Sequence, residues 1–211
     1  MMSTANLRAV AILCGGDSRR MGSDKALVDF DGSPLLRRHV EAIQSLNLEI
    51  PIYISSGTNR YPILDDCWVS YVPDVVAGAG PLSGLAGALS AVERTGGADG
   101  HIFVMPVDTL APPSVLLAEL TKTHVASSGV VLLKGQRLHP VHGLFPVSLA
   151  EPLRQFIEVG GRAVMGFLDA LDIEEVAIEE EWEPCMNFND PDEFAAACEV
   201  LAQITALKSQ P

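Results

Sequence analysis

Short apolar or β-branched runs recur at 9–14, 50–55, 68–72, 101–105, 128–133, 141–146 and 173–178. Most are separated by longer stretches of helical spacing, at 34–46, 82–94, 113–124, 148–158, 162–170 and 191–207. Alternation of this kind predicts an α/β chain with a mostly parallel sheet between helical layers, a three-layer sandwich. The runs at 128–133 and 141–146 are joined through Lys134-Gly135-Gln136-Arg137, which predicts an antiparallel hairpin inside that sheet. The last helix opens on Asn189-Asp190-Pro191, a capping side chain ahead of proline in the first turn. No internal repeat or low-complexity linker interrupts the 211 residues, so a single domain spanning 1–211 is expected.

Charge narrows the functional classes. The chain carries 27 acidic and 14 basic side chains, a formal net charge of −13, which disfavours wrapping of duplex nucleic acid or coating of an anionic membrane. The apolar run Ala9–Cys14 is too short for a signal-peptide core or a membrane span and reads as a buried strand. Cys14, Cys67, Cys185 and Cys198 lie far apart with no C-x-x-C pair, which argues against a zinc site or a disulfide framework and predicts a reducing, cytoplasmic setting. The basic residues are unevenly placed. Residues 1–40 carry Arg8, Arg19, Arg20, Lys25, Arg37 and Arg38 against four acids, whereas 172–199 hold eleven Asp and Glu and no Lys or Arg. The acidic segment reads as a solvated turn or sheet edge.

Three of those cations follow the first strand, in Gly15-Gly16-Asp17-Ser18-Arg19-Arg20-Met21-Gly22-Ser23-Asp24-Lys25. Ligands of open α/β sheets bind beyond the carboxyl ends of strands. Gly15 and Gly16 let backbone N–H groups approach an anion, and Arg19, Arg20 and Lys25 add charge to neutralise it. The chemistry predicted is phosphate binding. The spacing matches neither G-x-x-x-x-G-K-[ST] nor G-x-G-x-x-G, which counts against a P-loop ATPase and a dinucleotide-dependent oxidoreductase.

The segment Leu13-Cys14-Gly15-Gly16-Asp17-Ser18-Arg19-Arg20-Met21-Gly22-Ser23-Asp24-Lys25 resembles the signature L-x-G-G-x-S-x-R-M-G-x-D-K of the molybdenum cofactor guanylyltransferases. Further landmarks fall in the same order: Val72-Pro73-Asp74, Gly80-Pro81-Leu82-Ser83-Gly84, Met105-Pro106-Val107-Asp108-Thr109, His139-Pro140, Gly161-Arg162-Ala163-Val164-Met165 and Asn187-Phe188-Asn189-Asp190-Pro191. The likeness covers nearly the whole chain. It implies the Rossmann-like nucleotide-diphospho-sugar transferase fold and transfer of GMP from GTP to molybdenum-molybdopterin with release of pyrophosphate. Cys14 stands where the family has Ala, and Ser55 where it commonly has Asn.

The resemblance assigns roles residue by residue. Leu13, Cys14, Gly15 and Gly16 contact the nucleotide, Lys25 and Arg19 reach the phosphates, and Asp74 accepts the N–H donors of guanine. Asp108, past an apolar strand, stands where a Mg²⁺ ligand is needed, and one carboxylate suffices for a cation that keeps waters and phosphate oxygens. The alternative role for Asp108 is a cap for helix 113–124. Asn187, Asn189, His139 and Arg162 are implied at the pterin or metal region, the two asparagines doubling as caps for helix 191–207. His139 and His142 do not read as a chelating pair, because Pro140 excludes a helix and a regular strand would turn their side chains to opposite faces. A cytidylyl version of the transferase and a non-catalytic nucleotide-binding module both remain open. So does docking of a recipient molybdoenzyme or a partner GTPase during cofactor delivery.

Overall fold

The structure, a computed structural model, describes residues 6–15, 21–76, 80–122 and 129–208. Among them the elements run β1 (Leu7–Leu13), β2 (Asp29–Phe30), β3 (Ser33–Pro34), α1 (Leu35–Gln44), β4 (Ile52–Ser55), β5 (Ser70–Val72), α2 (Pro81–Gly96), β6 (His101–Pro106) and α3 (Pro113–Leu120). They continue with β7 (Val130–Lys134), β8 (Leu138–Pro146), α4 (Ala150–Glu158), α5 (Val164–Leu168), β9 (Ile173–Ala177) and α6 (Pro191–Lys208). The seven runs singled out in the sequence are the seven strands of the large sheet. Its order is β5-β4-β1-β6-β8-β7-β9, with β8 antiparallel to both neighbours and the other pairings parallel.

Alternation along the central strands feeds two cores. Val10 and Ile12 of β1, with Phe103 and Met105 of β6, meet Leu36 and Val40 of α1, Leu116 and Leu120 of α3, and Ile204 of α6 on one face. Ala9, Ala11 and Leu13, with Ile102 and Val104, meet Leu85 and Leu89 of α2, Leu153 and Ile157 of α4, and Phe167 of α5 on the other. Period-two side chains buried on both faces need a helical layer on each, which gives the expected three layers. The acidic segment supplies β9, an edge strand carrying Glu174 and Glu175, where charge discourages pairing with another chain.

Two features go beyond the sequence expectations. A two-stranded ribbon, β2–β3, turns at Asp31 (φ 52°) and Gly32 (φ 78°), the paired positive φ values of a type I′ turn. In the β7–β8 hairpin, Leu132 pairs with Gly143 and Lys134 with Leu138. Two steps on β7 therefore face five on β8, and the extra residues bulge. The expected opposition of His139 and His142 is overturned by that bulge: their rings lie 5.4 Å apart, nearly edge to face.

Candidate active site

The carboxyl ends of β5, β4, β1 and β6 lie side by side, and the start of antiparallel β8 reaches the same edge. A cavity of about 380 Å³ opens there, lined by Leu13, Cys14, Gly15, Lys25, Pro81 and Pro106–Asp108, and also by Arg137–His142, Asn187 and Asn189. Of the residues singled out in the sequence, it gathers Leu13, Cys14, Gly15, Lys25, Asp108, His139, Asn187 and Asn189. Gly16, Arg19 and Arg20 lie outside the described residues.

Lys25 and Asp108 are paired in this lining. Lys25 opens a short 3-10 turn over Lys25–Leu27, and Asp24 caps it by accepting from the Ala26 N–H at 3.0 Å. The other Asp24 oxygen accepts from the Tyr61 hydroxyl at 2.9 Å, so the backbone beneath Lys25 is held from two sides. The Lys25 ammonium donates to Asp108 Oδ2 at 2.7 Å, to the Phe188 carbonyl, and to Asn189 Oδ1 at 3.4 Å. It also stands 5.3 Å from the Phe188 ring centre. Three oxygens from two distant segments thus converge on one cation.

The loop carrying Asp108 is pinned at nearly every residue. The Val107 N–H donates to the Leu13 carbonyl at 3.0 Å, Phe188 N–H donates to the Asp108 carbonyl at 3.2 Å, and the N–H groups of Leu110 and Ala111 share the Cys185 carbonyl. Behind the loop, His39 of α1 is buried, with Nε2 3.0 Å from the Val107 carbonyl. Because a carbonyl can only accept, Nε2 carries the hydrogen. Burial pushes the His39 imidazole down to about 4. On the other side Thr109 donates to the Met186 carbonyl at 3.3 Å and lies 2.8 Å from His142 Nε2. Burial brings His142 down to about 3. The residues on either side of Asp108, Val107 and Thr109, therefore each rest on a buried imidazole. Neither was singled out as a support: on α1, His39 occupies a core-facing position at ordinary helical spacing and gives no chemical signal in sequence.

Asp74, past β5, is outside the cavity wall but at the same sheet edge. Burial raises its carboxyl pKa, partly offset by a hydrogen bond from the Ser55 side chain. Ser55 thus engages Asp74 from the place where the family commonly has Asn. A Cβ at Gly84 would fall 2.0 Å from Ser55 Oγ, and one at Gly87 would fall 2.4 Å from the Pro73 carbonyl. These two glycines let α2 lie against the ends of β4 and β5. Gly80 precedes α2 with φ 69° and Pro81 occupies its first turn, which suits glycine and proline respectively.

Elsewhere in the lining Arg137 donates to Asn187 Oδ1, and His139 Nε2 lies 3.2 Å from Glu183 Oε2. Arg137 is a cavity cation that the sequence reading did not single out. Its signal was a lone arginine in the turn between two apolar runs. Arg162 is placed elsewhere: its guanidinium donates to the carbonyls of Ile157 and Gly161 at the end of α4, and it is not part of the cavity wall. Asn189 accepts from Lys25 and its backbone N–H donates to Glu193, while Asp190 accepts from the Glu193 N–H at 2.9 Å. Asp190, rather than either asparagine, provides that first-turn capping contact. Burial pushes the Cys14 thiol far above its ordinary range, which leaves it an inert wall. Among the described residues no three His, Cys, Asp or Glu side chains group as a metal site, and no helix is long and apolar enough to cross a membrane.

Residues 10–173 match the family model of the MobA-like NTP transferase domain. The chain is 31% identical over 199 residues to a molybdenum cofactor guanylyltransferase of Rhizobium johnstonii, covering 90% of each chain. It is 30% identical over 205 residues to one of Rhizobium meliloti, covering 92% of each. Among solved structures, molybdopterin-guanine dinucleotide biosynthesis protein A of Archaeoglobus fulgidus superposes with a TM-score of 0.71 at 20% identity, over 92% of this chain and 99% of that one. A 4-diphosphocytidyl-2C-methyl-D-erythritol synthase superposes at 0.67 with 10% identity, over 92% and 98%. The loop after β1 carries the signature in sequence, and the family model spans most of the chain: the protein belongs to the MobA-like NTP transferase family.

Proposed function

We propose that the protein transfers GMP from GTP to the terminal phosphate of molybdenum-molybdopterin, releasing pyrophosphate, with 1–211 acting as one nucleotidyltransferase domain. The observation that carries this reading is the convergence of Gly15, Lys25 and Asp108 on one cavity also lined by Arg137, His139 and Asn187. Lys25 and the glycine loop suit a triphosphate, and Arg137 and His139 suit a second anionic substrate.

Base selection is assigned to Asp74, whose carboxylate suits the N1–H and N2–H₂ donors of guanine, a paired donor edge that cytosine lacks. The amides of Gly15 and Gly16 hold phosphate oxygens. Lys25, with Arg19 of the same loop, neutralises the charge that develops as the α–β phosphate bond breaks. The attacking oxygen belongs to a phosphate already anionic at neutral pH, so it forms its bond to the α-phosphorus without a protein base. The electron pair of the broken bond leaves with pyrophosphate. Arg137 and His139, which line the same cavity, are assigned to the second substrate, with Asn187 accepting from the Arg137 guanidinium.

A divalent cation fits the donor set. The Asp108 carboxylate, the Asn189 amide oxygen and the Phe188 carbonyl are hard oxygen donors that already converge on one positive charge, the ligand type that Mg²⁺ takes alongside water and phosphate. When bound, Mg²⁺ would supply neutralisation of phosphate charge. Asp108 would hold it, oriented by the pinned loop beneath.

A thermal-shift panel tests the nucleotide assignment. With Mg²⁺ present, GTP should raise Tm while CTP, ATP and UTP leave it nearly unchanged, since a ligand at 100 times its Kd stabilises the folded state by about 2.7 kcal/mol. Selective stabilisation by CTP would reassign the base.

A further inference from the structure

We propose that Lys25 occupies the cation position in the nucleotide-free protein and gives it up only when a triphosphate arrives, so that metal and nucleotide enter as a coupled pair. This deepens the functional reading above and rests on its assignment of Asp108 to the metal. The ammonium has three hydrogens and three oxygen partners: Asp108 Oδ2, the Phe188 carbonyl and Asn189 Oδ1. Its donors are therefore fully used at the place where a dication would find its ligands. The Lys25 and Asp108 side chains are only 14% and 21% exposed, so solvent screens little of the repulsion between an ammonium and an incoming dication. A dication at Asp108 would meet the ammonium at close range, and their repulsion favours exchange over sharing.

Asp24 and Tyr61 hold the turn beneath Lys25, and the cavity that Lys25 lines extends to Gly15, where the loop after β1 begins. Triphosphate oxygens at that loop offer the ammonium a new anion, and Asp108 is released to the metal. Linkage then requires reciprocity: nucleotide tightens metal binding by the factor by which metal tightens nucleotide binding. Metal alone faces a site already filled by the protein's own cation.

Binding of Mn²⁺ to the full-length protein without nucleotide, followed by the electron paramagnetic resonance signal of the free ion, tests this without any turnover. K25M and K25Q should each bind Mn²⁺ at least tenfold more tightly than the unsubstituted protein, and the double variant K25M/D108N should lose that gain. Circular dichroism identifies any variant that fails to fold, and two replacements at Lys25 guard against that failure. Equal Mn²⁺ affinity with and without Lys25, but weakened in both backgrounds by D108N, would overturn the exchange while leaving Asp108 as the metal ligand. Affinity unaffected by D108N in every background would overturn the metal assignment and the exchange together.

Discussion

Asp108 and Lys25 show how far a single residue can be read from sequence. A carboxylate past an apolar strand and a lysine closing a glycine-bearing loop declare their chemistry by type and position, and the structure joins them at 2.7 Å. The groups that aim them do not declare themselves. Asp24 looks like part of the signature, yet its oxygens cap the Lys25 turn and take the Tyr61 hydroxyl. Asp24→Ala should therefore cost about 1 kcal/mol of stability from the lost cap, measured by urea unfolding, and raise the KM for GTP. Asp24→Asn, which retains an accepting oxygen, should recover most of the stability. Asp108→Asn keeps shape and removes charge, so kcat should fall by roughly 10²–10³-fold, the scale of losing one electrostatic contact to the reacting phosphates. Circular dichroism should be unchanged. Near-normal turnover would remove Asp108 from the reaction.

The helices and strands were legible because their signals are local. Each of the seven apolar runs became a strand of the large sheet, since alternation and run length depend on neighbouring residues alone. The β8 bulge was not legible, because it is set by pairing with β7: the register between Leu132 and Lys134 pulls His139 and His142 to one side. The β2–β3 ribbon did carry a local signal, Asp31-Gly32, overshadowed by the short strands around it. Helix α2 is the element most sensitive to side-chain size. At Gly87 an added Cβ meets the backbone Pro73 carbonyl at 2.4 Å, whereas at Gly84 it meets the Ser55 side chain. Gly87→Ala should destabilise by about 1–3 kcal/mol through overpacking, measured as a lower denaturant midpoint at constant slope. Gly84→Ala should show its main effect on GTP selectivity, because displacing Ser55 disturbs the hydrogen bond to Asp74. Equal stability losses with selectivity intact would break the link between α2 packing and base choice.

At the scale of the whole molecule, the α/β class was legible and the strand order was not, since order depends on contacts between distant segments. Acid response is likewise a property of the assembled fold. His39 and His142 fall from an ordinary 6.5 to about 4 and about 3 on burial. Between those values and 6.5 the unfolded chain binds more protons than the folded one, so stability rises with pH in that window. Their contribution is complete above about pH 6.5 and declines as the pH is lowered towards 4. Calorimetry should show Tm falling between pH 6.5 and 5.5, where most carboxylates remain ionised, with a shallower fall in His39→Gln. The central claim concerns the cavity at the carboxyl edge of the sheet, where β1, β6 and the start of β8 meet. Pyrophosphate release by the purified protein, with molybdopterin, Mg²⁺ and each of the four nucleoside triphosphates in turn, tests it most directly. The prediction is release with GTP alone, dependent on both molybdopterin and the divalent ion. Release with another nucleotide instead, or GTP binding with no pyrophosphate formed, would contradict it.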